Sequence, residues 1–240
     1  MERLVSKIAI IPARGGSKRI PRKNITPFRG RPMISWTIEA ALESGIFDRI
    51  LVSTDDEEIA DCARLEGAEV PFLRNTHADD NSPVSEAIIT ALCQAGEHYG
   101  ETFDTVVQLM PNCPLRGATE IREAWEQYRQ GSHSFQISAF EFGWMNPWWA
   151  GRLNADFQPD WLFPEERMRR SQDLDRLYCP TGAIWIADAA ALLEARTFYG
   201  PGHVLCPMHW QAAVDIDDYN DFDMAEVLAE LSVRGPRAAR

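Results

Sequence analysis

Short apolar runs alternate with stretches of helical length through the first two-thirds of this chain, and few architectures tolerate that rhythm. The apolar runs are Ile8–Pro12, Ile50–Ser53, Val70–Leu73, Val106–Met110 and Phe135–Ala139. Between them lie Met33–Leu42, Glu57–Leu65, Val84–Tyr99 and Ala118–Tyr128. In the third of these stretches Val84, Ile88, Leu92 and Ala95 fall on one helical stripe. The rhythm breaks near Glu141 and returns after Gly182, with strands expected at Ala183–Ile186 and Ala213–Ile216 and helices at Ala189–Ala195 and Asp221–Leu231. Strands separated by helices of this length predict a doubly wound α/β fold with a mostly parallel sheet covered on both faces. Ligands of such sheets bind beyond the carboxyl ends of the strands.

At 240 residues, with 45% hydrophobic and 25% charged, the chain can bury a substantial core. The 24 Lys and Arg against 36 Asp and Glu leave a net charge of −12, which argues against nucleic acid or an anionic membrane as partner. No apolar run approaches the roughly 18 residues of a membrane span, and the opening residues lead straight into a strand-like run, so a cytoplasmic protein is expected. Cys62, Cys93, Cys113, Cys179 and Cys206 form no CxxC pair and are expected to be free thiols. The five histidines show no spacing that demands catalysis.

Two clusters stand against this background. The first strand runs into Arg14-Gly15-Gly16-Ser17-Lys18, and the segment 14–31 carries seven Lys and Arg with no acid. Paired glycines at a strand end let backbone N–H groups approach a phosphate that a Cβ would obstruct. GxxxxGK[ST] and GxGxxG are both absent, so the loop is neither a P-loop nor a dinucleotide fingerprint. The second cluster is Val214-Asp215-Ile216-Asp217. On an extended strand, residues two apart point the same way, so Asp215 and Asp217 can face one cation. Oxygen ligands this few suit Mg²⁺, which keeps waters and takes substrate phosphate oxygens. Together the clusters point to nucleotidyl transfer. Asp221 and Asp223 are expected in the first turn of a helix, where the dipole favours them.

Ile10–Asn24 (IIPARGGSKRIPRKN) resembles the signature of the acylneuraminate cytidylyltransferase family, the CMP-sialic acid synthetases and their bacterial nonulosonate relatives. Val52–Ala60, Pro71–Arg74, Pro111–Arg116, Arg170–Leu174, Gly182–Ile186 and Val214–Asp217 are similar to family segments in the same order, and the SQDL run with its nearby Tyr resembles the pseudaminic and legionaminic branch. The resemblance implies a Rossmann-like nucleotidyltransferase that joins CTP to a nonulosonic acid with Mg²⁺. It implies that Arg14, Ser17, Lys18 and Lys23 contact the triphosphate, Lys23 at the α-phosphate, with Gly15 and Gly16 donating N–H groups and Asn24 completing the motif. It puts Arg74 at the nucleotide, Ser82 or Ser85 at cytosine, Asp215 and Asp217 at the metal, and Met110, Arg170, Gln172 and Tyr178 at the sugar acid.

The chain also departs from the family pattern. Asp80–Ser85 reads DNSPVS where a DTAS-like run is usual. Met110, Asn112 and Cys113 stand where QPTSPLR is common, and an apolar Met110 cannot satisfy a sugar hydroxyl, so a deoxy or di-acylamino sugar acid is expected rather than N-acetylneuraminate. Residues 141–179 hold four of the eight tryptophans and several prolines. They are read as an insertion in a core of residues 1–140 and 180–233, ahead of a tail at 234–240, and the resemblance makes them the element of a homodimer. Remaining alternatives are an enzyme for another sugar acid, such as an eight-carbon ulosonate, and a non-catalytic nucleotide-binding relative.

Overall fold

The computed structural model describes residues 6–76 and 83–233. Six strands form the central sheet: β1 (Lys7–Pro12), β4 (Arg49–Ser53), β5 (Thr105–Gln108), β6 (Phe135–Glu141), β9 (Tyr178–Asp188) and β10 (Val204–Pro207). Two-stranded ribbons pair β2 (Pro27–Phe28) with β3 (Arg31–Pro32), and β7 (Gly151–Leu153) with β8 (Pro159–Trp161). The sheet order is β10-β6-β9-β5-β1-β4. All neighbours are parallel except that β9 runs antiparallel to both β5 and β6. The mostly parallel doubly wound sheet expected from the rhythm is therefore present.

Side-chain alternation along β1 builds the two faces. Ala9 and Ile11 point into a core with α1 (Met33–Ser44), α2 (Glu57–Leu65) and α4 (Ala118–Gln130), through Ile34, Ile38, Ile59 and Ile121. Ile8 and Ile10 point the other way, into Ile88, Leu92 and Ala95 of α3 (Val84–Tyr99) and Leu192 of α5 (Ala189–Ala195). The expected stripe of α3 is the buried one, with Val84 half-buried at its start. A third cluster packs α6 (Tyr219–Val233), through Ala225 and Leu228, on Phe28, Met33 and Ile216. Left-handed glycines stop α1 at Gly45 (φ 67°) and α3 at Gly100 (φ 65°). All five cysteines are free.

Two local expectations change. Val70–Leu73 is no strand: Glu69 alone bridges Leu51, and Pro71 lacks the N–H needed to continue the ladder. The segment turns away instead, and the Arg74 N–H donates to the Thr54 carbonyl at 2.7 Å. Ala213–Ile216 is also irregular; the edge position beside β6 belongs to β10, a run the sequence reading passed over. The insertion leaves the sheet between paired neighbours, Glu141 on β6 facing Tyr178 on β9. From residue 142 to 177 no side chain is buried.

Candidate active site

The acid-free loop folds into a scaffolded turn at the carboxyl end of β1. Asn24, almost fully buried, donates from Nδ2 to the Arg14 carbonyl at 2.9 Å. Arg22 takes a left-handed conformation (φ 54°) and donates to Asp56 at 2.9 Å. The Ile25 and Thr26 N–H groups then return to the Arg22 carbonyl, which turns Lys23 inward. Asp56 also caps α2 by accepting from the Ile59 N–H at 3.1 Å, and this use of both partners holds its carboxyl below the ordinary value although burial opposes it. The β4–α2 turn thus grips the loop from behind.

That grip corrects the role expected of Gly15. Its N–H donates to Asp55 Oδ1 at 2.9 Å and faces the β4–α2 turn. The glycine is needed because a Cβ there would stand 2.6 Å from Asp56 Oδ2. Gly16 has open space where its Cβ would be. Asp55 and Asp56 lie within Val52–Ala60, a segment similar to the family's, but nothing in the sequence assigned either of them this role.

Facing the loop is the Asp215–Asp217 segment. Lys23 Nζ donates to Asp217 Oδ1 at 3.0 Å and to the Ile216 carbonyl at 2.7 Å. Arg19 reaches the other oxygen of Asp217 at 2.7 Å. Burial would raise Asp217, but Lys23 and Arg19 hold it below the ordinary carboxylate value. Asp215 behaves oppositely. Enclosed by protein on one side and open to the cleft on the other, it is pushed up to about 6 by desolvation and by the charge of Asp217. Behind them, Asp218 caps α6 by accepting from Asn220 and Asp221 N–H, and Asp221 accepts from the Asp217 and Asp218 N–H groups. Of the two acids expected in a first helical turn, Asp221 is there and Asp223 lies in the next turn.

Both segments line one cavity of about 540 Å³. Its lining includes Arg14, Ser17, Lys18, Lys23, Asn24 and Arg74 on the basic side and Asp215 and Asp217 on the acidic side. Met110, Pro111, Val84 and Ala87 give it an apolar wall. Arg74 is nearly buried; desolvation, with Arg14 nearby, lowers its pKa while Asp55 works against them, and its Nε has no partner among the described residues. An anion entering the cavity would find that charge already desolvated. Beneath the wall, fully buried Arg116 donates to Thr37 Oγ1 and the Ala183 carbonyl, and Thr37 donates to the Met110 carbonyl. Desolvation brings Arg116 down to about 10.

Other expected residues lie elsewhere. Ser85 is buried on α3 and does not line the cavity. Ser82 lies outside the described residues. Arg170, Gln172 and Tyr178 are exposed and outside the cavity of their own chain: Arg170 pairs with Asp173 at 2.8 Å, and Gln172 borders a separate hollow with Asn146 and Arg176. Among the described residues no group of three or more His, Cys, Asp or Glu side chains could hold a metal, so any cation here would rest on Asp215 and Asp217. No described helix is long and apolar enough to cross a membrane.

Comparison with known proteins gives a consistent picture. The cytidylyltransferase family pattern matches residues 8–146. The chain is 35% identical over 229 residues to pseudaminic acid cytidylyltransferase of Campylobacter jejuni, covering 95% of this chain and 98% of that protein. It is 36% identical over 235 residues to CMP-N,N'-diacetyllegionaminic acid synthase of Legionella pneumophila, covering 94% and 97%. Among solved structures, CMP:2-keto-3-deoxy-manno-octonic acid synthetase complexed with CTP superposes with a TM-score of 0.69 at 15% identity, covering 95% of this chain and 99% of that one, a likeness of fold.

Proposed function

This chain belongs to the cytidylyltransferase family, and on that premise we propose that it joins CTP to a nonulosonic acid, giving the CMP-sugar and pyrophosphate. The observation that carries the reading is the 3.0 Å contact of Lys23 with Asp217 inside a cavity lined by cations on one side and two carboxylates on the other. The sugar's anomeric hydroxyl attacks the α-phosphorus as the bond to pyrophosphate breaks, and its proton passes to a carboxylate of the pair. Arg14, Ser17, Lys18 and Arg74 bind the nucleotide, while Lys23 offsets charge developing on the α-phosphate. In the free protein Lys23 and Arg19 sit on Asp217; a triphosphate competes for both and frees Asp217.

Mg²⁺ fits this donor set. Asp215 is a partly desolvated carboxylate, open to the cleft and beside a second carboxylate, and two protein oxygens leave room for waters and phosphate. Bound there, the ion would offset negative charge on the α-phosphoryl oxygens.

The apolar wall of Met110, Pro111, Val84 and Ala87, with relatives named for pseudaminic and diacetyllegionaminic acids, favours a deoxy, di-acylamino substrate. Arg170 and Gln172 belong to the sugar site of a partner subunit in a homodimer formed through the 141–179 insertion. The support is their place outside their own chain's cavity and the exposure of Trp144 (84%) and Phe157 (81%) in the same insertion. Free thiols and use of CTP fit a cytoplasmic enzyme. A panel of CTP, UTP and GTP with pseudaminic, legionaminic, N-acetylneuraminic and eight-carbon ulosonic acids tests the proposal. CMP-sugar is expected from CTP with the first two; preference for the eight-carbon acid, or for another nucleotide, would overturn it.

A further inference from the structure

The carboxylate segment poses a structural question, since no neighbouring strand among the described residues fixes residues 213–217. Asn112, in the turn after β5 and 3% exposed, supplies much of what a neighbouring strand would. Its carbonyl accepts from the Ile216 N–H at 2.9 Å, and its Nδ2 returns a hydrogen bond to the Ile216 carbonyl at 3.1 Å. Asn112 thus pairs with both polar groups of Ile216, one through its backbone carbonyl and one through its side-chain amide, much as a peptide in a ladder would. The same Nδ2 donates to Asp215 Oδ1. The Ile216 carbonyl is also the acceptor of Lys23. One buried amide therefore touches a proposed metal carboxylate and the carbonyl that anchors the proposed phosphate lysine. Its Oδ1 is buried without a partner among the described residues, a cost that a residue serving only to fill space has no reason to bear.

We propose that Asn112 is a positioning residue of the transfer reaction, fixing Asp215 and the Lys23 anchor in one register so that cation and α-phosphate meet. This inference rests on the cytidylyltransferase reading and deepens it. Asn112 borders the cleft, but in this account its role is exerted through Asp215 and Ile216 rather than on substrate. Its expected signature is therefore a loss in kcat and in metal affinity with little change in nucleotide affinity. Partners that orient metal ligands typically carry 10–100-fold in affinity or activity.

The test uses the full-length protein with Asn112→Ala and the isosteric Asn112→Asp, which keeps the shape but removes the donor. Mn²⁺ affinity is read by electron paramagnetic resonance, metal-free CTP affinity by calorimetry, and kcat by pyrophosphate release. Both variants should keep the wild-type circular dichroism spectrum, lose at least tenfold in Mn²⁺ affinity and in kcat, and bind metal-free CTP within about threefold of wild type. Wild-type Mn²⁺ affinity and kcat in Asn112→Asp would overturn the proposal, as would unfolding of both variants, which would assign Asn112 to stability alone. A wild-type protein inactive with CTP and every sugar acid would defeat the functional reading itself, a result distinct from failure of the Asn112 variants.

Discussion

At the scale of single residues, the cleft is organised by unequal treatment of two carboxylates two positions apart. Asp217 is neutralised by Lys23 and Arg19, whereas Asp215 is left desolvated with its pKa near 6. A carboxyl raised in the folded state lends stability that is present below its unfolded value and lost as pH rises through about 6. Asp215→Asn should therefore raise the Tm of the ligand-free protein at pH 7.5 and leave it nearly unchanged at pH 3.5. A lower Tm at pH 7.5 would contradict the assignment. The same shift predicts that the stabilisation by Mg²⁺ expected at pH 7.5 fades below about pH 6 as the carboxyl takes its proton. Lys23→Ala should cost on the order of 3 kcal/mol of barrier, about a hundredfold in kcat, by analogy with loss of an oxyanion donor. An unchanged kcat removes Lys23 from the mechanism. Of these residues, Lys23, Asp215 and Asp217 were legible because residue type and position relative to a strand end carry chemistry. Asn112 was visible only as a departure from a pattern, since its role depends on a contact 104 positions away in the chain.

At the scale of elements, the phosphate loop depends on the turn that opens α2. Asp55 takes the Gly15 N–H, and Asp56 takes Arg22 and caps the helix. Gly15→Ala should collide with Asp56, at 2.6 Å from Cβ to carboxylate oxygen, and weaken CTP binding at least tenfold by calorimetry. Asp56→Ala should lose about 1 kcal/mol from the cap alone, with Asp56→Asn retaining most of it, as read by urea denaturation. The periodicity of the chain located these helices and most core strands because each buries one face or stripe. Two segments of strand-like composition, Val70–Leu73 and Ala213–Ile216, are irregular. In the first Pro71 interrupts pairing; in the second the Ile216 and Ala213 carbonyls find their partners in the side chains of Asn112 and Thr181 rather than in a strand. Composition does not register either event. Conversely, β10 is a four-residue edge strand ending in Pro207, too short and too polar in its surroundings to stand out.

At the scale of the whole molecule, the protein divides into a sheet that carries one cleft and an excursion from residue 142 to 177 that buries none of its own side chains. The excursion leaves and re-enters through adjacent antiparallel strands, so it can be long without disturbing the sheet. If it forms the proposed dimer, Trp144→Asp with Phe157→Asp should yield a monomer in sedimentation velocity and lower activity sharply, because Arg170 and Gln172 no longer reach a partner. A double variant that stays dimeric would place the interface elsewhere. Beneath that assembly lies the claim that Lys23 and the two carboxylates act together on the α-phosphate of CTP. The direct measurement is pyrophosphate release from CTP and pseudaminic acid with Mg²⁺, comparing wild type with Asp217→Asn at matched circular dichroism. The account predicts steady release by the wild type and essentially none by the variant; equal release by both would contradict it.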